Sequence, residues 1–205
     1  MHSYMKMLIK TMLTGLLICI IAACAKPYYL SVGYHLPEEP LQLAGQKVQL
    51  VVEDQRDNKE IFSEKAITEF AKWDGTYTLA LGGTPPPEPV QTYDLPALFH
   101  EALKKRLEAM QIEIVDASAG EAPVLTITLE KIAVDLKKKT WHSEITYRAQ
   151  LSLDSSKIAR ETVTGKAERT KIMGKGGGEK VTGELFTEVI NRLDVPKLFE
   201  NAGLL

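Results

Sequence analysis

Apolar and polar residues alternate in two distinct rhythms along this 205-residue chain. From Lys47 to Glu53 the period is two, with Val48, Leu50 and Val52 on one side and Lys47, Gln49 and Glu53 among the others. Successive strand side chains point to opposite faces, so this pattern predicts a strand with one buried face. The turn formers of Asp54-Gln55-Arg56-Asp57-Asn58 end it. Ser63 is placed to cap a short helix through Ala71, and Tyr77, Leu79 and Leu81 predict another strand. The rhythm then lengthens. Leu95, Leu98, Phe99, Ala102, Leu103, Leu107 and Met110 recur at helical spacing, behind Asp94 as cap and with Pro96 in the first turn. Ile112 and Ile114 return to alternation.

The C-terminal half is a run of strands. Leu125, Ile127 and Leu129 share one parity, whereas Ile132, Val134 and Leu136 continue on the other. A β-bulge near Glu130-Lys131 absorbs such a one-residue slip. Ile145, Tyr147, Ala149, Leu151 and Leu153 form the next alternating set. Asp154-Ser155-Ser156 turns the chain into a weaker strand that reaches about Lys171. Gly174 to Gly178 reads as a flexible loop, and Val181, Leu185, Phe186, Val189, Ile190 and Leu193 mark a second long helix. Asp194 and Pro196 start a short final helix that ends near Gly203. The expected fold is α+β, an antiparallel meander with a bulge packed against two long helices.

The first residues follow neither rhythm. Lys6 and Lys10 precede a weakly polar to apolar run from Thr11 to Ala23, the layout of a secretory signal. The run is shorter than the roughly 20 apolar residues that span a bilayer. It stops at Ile21-Ala22-Ala23-Cys24, which resembles the bacterial lipobox. That resemblance implies cleavage between Ala23 and Cys24, diacylglycerol on the Cys24 thiol and acylation of the new amino terminus. Stable attachment takes more than one acyl chain, and a lipobox product carries more than one. Ala25 and Lys26 follow, with no aspartate directly behind the lipid. By resemblance to the enterobacterial sorting rule, this favours the outer membrane, facing the periplasm.

The organisation that follows is a signal at 1–23, a lipidated tether at 24–46 and a single domain at 47–205. The tether holds Pro27, Pro37, Pro40, Gly33 and Gly45, yet Tyr28, Tyr29 and Tyr34 make it more aromatic than a plain linker. Those tyrosines suit either the interfacial zone or packing onto the domain. Gly82-Gly83-Thr84-Pro85-Pro86-Pro87-Glu88-Pro89 reads as an extended surface loop. Charge is mildly acidic, with 27 acidic residues against 25 lysines and arginines, two of which leave with the signal. Nucleic-acid binding calls for a basic face and is not expected. Cys19 also leaves with the signal, so neither a disulfide nor a free thiol is expected in the processed domain.

Few residues suggest chemistry. His35, His100 and His142 stand in no metal spacing, no Gly-x-Ser-x-Gly elbow occurs, and Gly174-Lys175-Gly176-Gly177-Gly178 lacks the Gly-Lys-Ser/Thr end of a phosphate loop. No catalytic residue, metal or cofactor is expected. Asp54 and Arg56, two apart at a strand end, can point to one side. They form either a charged recognition spot or a structural ion pair with an Asx-type turn. Lys137-Lys138-Lys139-Thr140-Trp141-His142 lies at a hairpin tip, where Lys137, Lys138, Lys139 and Trp141 could touch anionic headgroups or an acidic partner, or form a solvated turn.

The lipobox, the Val-rich strand closing in Asp54-Gln55-Arg56-Asp57, the leucine-rich helix, the hairpin pair and the C-terminal helix together resemble the YajG family of bacterial lipoproteins. Members commonly place a glycine-aromatic pair after the first long helix, where this chain has Gln111-Ile112. The resemblance implies an outer-membrane lipoprotein of unassigned molecular role. Gly33-Tyr34-His35-Leu36 is similar to a segment of the lipoprotein partner in lipopolysaccharide assembly. The expected function is a membrane-anchored, non-enzymatic binding or scaffold module, with an envelope protein or lipid as partner. The alternative is an accessory lipoprotein of outer-membrane or lipopolysaccharide assembly, or an auxiliary transport component.

Overall fold

The computed structural model describes residues 27–32, 34–37, 43–74, 76–81, 94–116, 122–153, 158–172 and 176–205. Cys24, the Pro-rich loop and the turn at 154–156 lie outside the described residues. A five-stranded sheet forms the body, in the order β4 (Glu113–Ile114), β2 (Lys47–Asp54), β5 (Val124–Lys137), β6 (Thr140–Ser152), β7 (Ile158–Thr170). Two further strands, β1 (Pro27–Val32) and β3 (Thr76–Leu81), pair with each other in parallel. Helices α1 (Glu64–Asp74), α2 (Leu95–Ala109), α3 (Gly176–Arg192) and the short α4 (Val195–Asn201) complete the described elements.

The fold is α+β, but the sheet is mixed rather than an antiparallel meander. β2 pairs in parallel with both β4 and β5, and only β5–β6–β7 is antiparallel. The reason lies in the connections. Two residues suffice to reverse the chain between β5 and β6, whereas a strand followed by a helical crossover returns parallel. β2 leads into α1, β3 and α2 before β4 and β5 come back beside it. The expectation of two long helices also needs correction, because the 11-residue α1 packs on β5 beside the longer α2 and α3.

The alternations identify the buried face. Trp141, Ile145, Tyr147, Ala149 and Leu151 of β6 point into the core, together with Val48 and Leu50 of β2. Along β5 the buried parity changes from Leu125, Ile127 and Leu129 to Ile132, Val134 and Leu136, with the register shift between Leu129 and Lys131. The bulge therefore sits where the pattern slips. β2 has ended by then, with Asp54 opposite Leu129. The next stretch of β5 is met by Ile61, Phe62 and Ser63, since Ser63 N–H donates to the Val134 carbonyl at 3.0 Å. The other face of β6 is polar, as an antiparallel sheet with one wet side permits. There Glu144 bridges Lys131 at 2.7 Å and Lys166 at 3.2 Å.

Helix ends are closed by side chains. Asp94 accepts from Ala97 N–H at 2.9 Å, Ser63 from Ala66 N–H at 3.2 Å and Asp194 from Lys197 N–H at 3.0 Å. At the C-terminal turn of α3, buried Arg106 donates to the Ile190 carbonyl at 2.5 Å and Tyr147 donates to the Val189 carbonyl at 2.8 Å. Two of the carbonyls that a helix end leaves without intrahelical partners are thereby satisfied from α2 and β6.

The segment read as a tether contributes to the folded body in its described part. β1 pairs with β3 and packs along α3. Tyr34 meets Phe186 edge to face at 6.5 Å, and its hydroxyl donates to Asn191 Oδ1 at 2.9 Å. Of the two roles open to the tyrosines, Tyr34 takes packing onto the domain.

Candidate functional site

The strand-end pair is closed upon itself. β2 ends at Asp54, and the chain turns so that Arg56 N–H donates to Asp54 Oδ1 at 3.1 Å, an Asx-type turn. The Arg56 guanidinium adds a two-pronged contact, Nε to Oδ1 and a terminal nitrogen to Oδ2, each at 2.9 Å. A third donor reaches the Lys59 carbonyl at 3.3 Å, and Lys59 Nζ meets Asp54 Oδ1 at 3.2 Å. The Arg56 side chain is 4% exposed. These hydrogen bonds, led by the one from Arg56, pull the Asp54 carboxyl down to about 2. Fork geometry of this kind is the strong form of a carboxylate pair. It leaves Arg56 few donors for a ligand, so the geometry is that of a structural clasp.

The hairpin tip divides into two environments. Lys137, Lys138 and Lys139 are exposed. Lys137 lies 3.5 Å from Asp135, whose carboxyl is lowered first by the Ser63 hydroxyl and also by Lys137. Lys138 sits at φ 58° in the two-residue loop. Trp141 does not share that surface. It is 0% exposed, stacks on Phe70 of α1 at 4.7 Å and lies under the first turn of α3. The alternation decides this: Trp141 falls on the same parity as Ile145 and Tyr147, the core face of β6.

The same contact corrects the glycine-run expectation. Gly176, Gly177 and Gly178 begin α3 rather than extending a loop. A Cβ on Gly178 would stand 2.7 Å from Phe70 Cζ and 3.1 Å from Trp141 Cδ2, and one on Gly177 would stand 3.1 Å from the indole. These two glycines let a helix terminus approach two stacked rings. The sequence shows a tryptophan two residues past the lysines, read as part of the tip, and a glycine run, read as a loop. Nothing in it joined them.

An open cleft of about 440 Å³ lies at the opposite end of the sheet, lined by Gly45, Lys47, Val115, Pro123 and Leu204 among others. Among the described residues Lys47 is the one charged residue lining it, and it is paired with Glu113 at 3.0 Å. The described lining residues bring no set of acid-base or nucleophilic side chains together. Among the described residues no three His, Cys, Asp or Glu side chains lie close enough to hold a metal ion, and no helix is long and apolar enough to cross a membrane. His142 pairs with Glu168 across the strands at 2.9 Å, and His100 lies 3.8 Å from Glu101.

Comparison with protein-family models gives no match, and comparison with curated proteins gives none. Among solved structures, protein XCC0632 from Xanthomonas campestris, of family DUF330, is similar with a TM-score of 0.57 and 14% identity, over 85% of this chain and 95% of that one. At that identity the likeness is one of fold. Rare lipoprotein B from Shewanella oneidensis matches at a TM-score of 0.44 and 10% identity, over 76% of this chain and 98% of that one. Lipoprotein GNA1162 from Neisseria meningitidis matches at 0.29 and 11% identity, over 72% and 96%.

Proposed function

We propose that the chain is an envelope lipoprotein, held to the membrane by lipid on Cys24 and acting as a non-catalytic binding module. The observation that carries this reading is the position of Ile21-Ala22-Ala23-Cys24, between an apolar signal run and a strand that begins at Pro27. A lipid-bearing cysteine there places the anchor directly at the edge of the folded body. The resemblance to the YajG family supports the same reading, as does Ala25-Lys26 behind the cysteine for an outer-membrane destination. Three of the buried polar side chains serve the fold rather than chemistry. Arg56, Arg106 and Tyr147 are each committed to a turn or a helix end.

Labelled palmitate tests the anchor. Cys24→Ala should abolish incorporation and leave the chain uncleaved or soluble, while the unchanged chain should be labelled and float with membranes. Label retained by the variant would refute the assignment.

A further inference from the structure

The lysine tip and the point where the lipid anchor must leave the fold lie at the same end of the molecule. Lys171 N–H donates to the Lys139 carbonyl at 2.7 Å, closing the tip onto the end of β7. Two residues further along β6, Trp141 stacks on Phe70 and lies against Gly177 and Gly178. The tip, the C-terminal half of α1 and the first turn of α3 are thus neighbours. α1 ends at Asp74, and β3 starts at Thr76, opposite Pro27 of β1.

β1 then runs away from this end. Seven residues after Pro27, Tyr34 bonds Asn191, near the C-terminus of α3. Seven residues reach at most about 23 Å when fully extended. The 13 residues from Gly178 to Asn191 rise about 20 Å along the helix. The two lengths agree, as expected of a strand lying along α3 with Pro27 at the tryptophan end. Cys24 is three residues before Pro27, within about 11 Å of chain.

We infer that the domain stands on the membrane with the β5–β6 hairpin tip downward, so that Lys137, Lys138 and Lys139 rest on anionic lipid headgroups beside the Cys24 anchor. The inference rests on the anchored reading above. The chemistry suits a lipid surface. Lys138 and Lys139 have no acidic partner among the described residues, and flexible ammonium groups beside an acyl anchor add the electrostatic signal that basic segments supply at anionic membranes. Exposed tip lysines, a solvated turn when the domain is viewed alone, gain a partner once the anchor's exit is taken into account. The cleft beside Lys47 and Leu204 lies at the far end of β5 and would face away from the membrane, free for a soluble or envelope partner.

The test uses the processed, lipidated full chain in phosphatidylcholine vesicles with and without phosphatidylglycerol. Thr140→Cys and Gln111→Cys place a single fluorescent label at the tip and at the far end, the Cys24 thiol being occupied by lipid. With a quencher carried on the headgroups, the Thr140 label should be quenched several-fold more than the Gln111 label on anionic vesicles. Adding Lys138→Glu and Lys139→Glu should reduce tip contact by at least about fivefold per lysine without preventing flotation. Equal quenching at both positions in chains that float would overturn the orientation alone. Tip contact unchanged by the charge reversals would overturn the role of the lysines. Chains that neither carry lipid nor float would overturn the anchored reading along with it.

Discussion

Asp54 holds a proton poorly because Arg56 meets both of its carboxylate oxygens, and Lys59 adds a further donor. An unfolded aspartate titrates near 3.9, and the folded one near 2. A carboxyl depressed in the folded state contributes stability that is fully present above about pH 4 and is lost as pH falls toward 2. The contribution is on the order of 2 kcal/mol. Urea midpoints of the unchanged domain should therefore drop between pH 5 and pH 2.5 by more than those of Arg56→Ala, which starts lower. Parallel declines would show that Arg56 does not hold Asp54. The Asp-Gln-Arg sequence advertised the pair and its two alternatives. Only the burial of the guanidinium chose between them.

At the level of elements, the end of α2 carries a residue its geometry disfavours. Gln111 N–H donates to the Glu108 carbonyl at 2.9 Å and Ile112 N–H to that of Leu107 at 3.0 Å, a Schellman closure with Gln111 at φ 61°. Only glycine adopts this conformation without strain. Gln111→Gly should stabilise the domain by about 0.5–1 kcal/mol, read as a raised urea midpoint with unchanged slope; a lowered midpoint would count against the closure. The short α4 ends in the same way with the expected residue, Gly203 at φ 65°. Caps, strand alternation and the bulge were legible because each is a local pattern. The start of α3 was not, since three consecutive glycines have the weakest helix propensity outside proline. The packing of Phe70 and Trp141 overrides it.

Across the whole molecule, β1 and Tyr34 act as a strap. β1 gives β3 its hydrogen-bonding partner, and Tyr34 covers Phe186, which in turn meets Phe99 edge to face at 5.1 Å. A chain beginning at Leu43 loses all of this. Burial of one large side chain contributes about 1.5–3 kcal/mol, and each kcal/mol moves the melting point by about 2–4 °C in a domain of this size. Truncation before Leu43 should therefore lower the melting temperature by at least several degrees relative to a chain beginning at Ala25. Equal melting temperatures would return the segment to the role of a plain tether.

The sequence by itself determined what depends on neighbours along the chain. That covers the parities of β2, β5 and β6, the faces of α2 and α3, the side-chain caps and the bulge, because all are periodic or local, whereas β1 lay in the segment read as a tether. Tertiary structure decided what depends on which elements meet. β2 became parallel to both its neighbours because helical crossovers return the chain in the same direction. Trp141 left the tip for the core because two glycines of a distant helix make room above it. The start of β1 came to lie along the helix that begins above Trp141 because β1 pairs with β3 and runs along α3. None of these meetings leaves a mark in the spacing of residues, since the partners lie tens of residues apart and are selected by packing rather than by pattern.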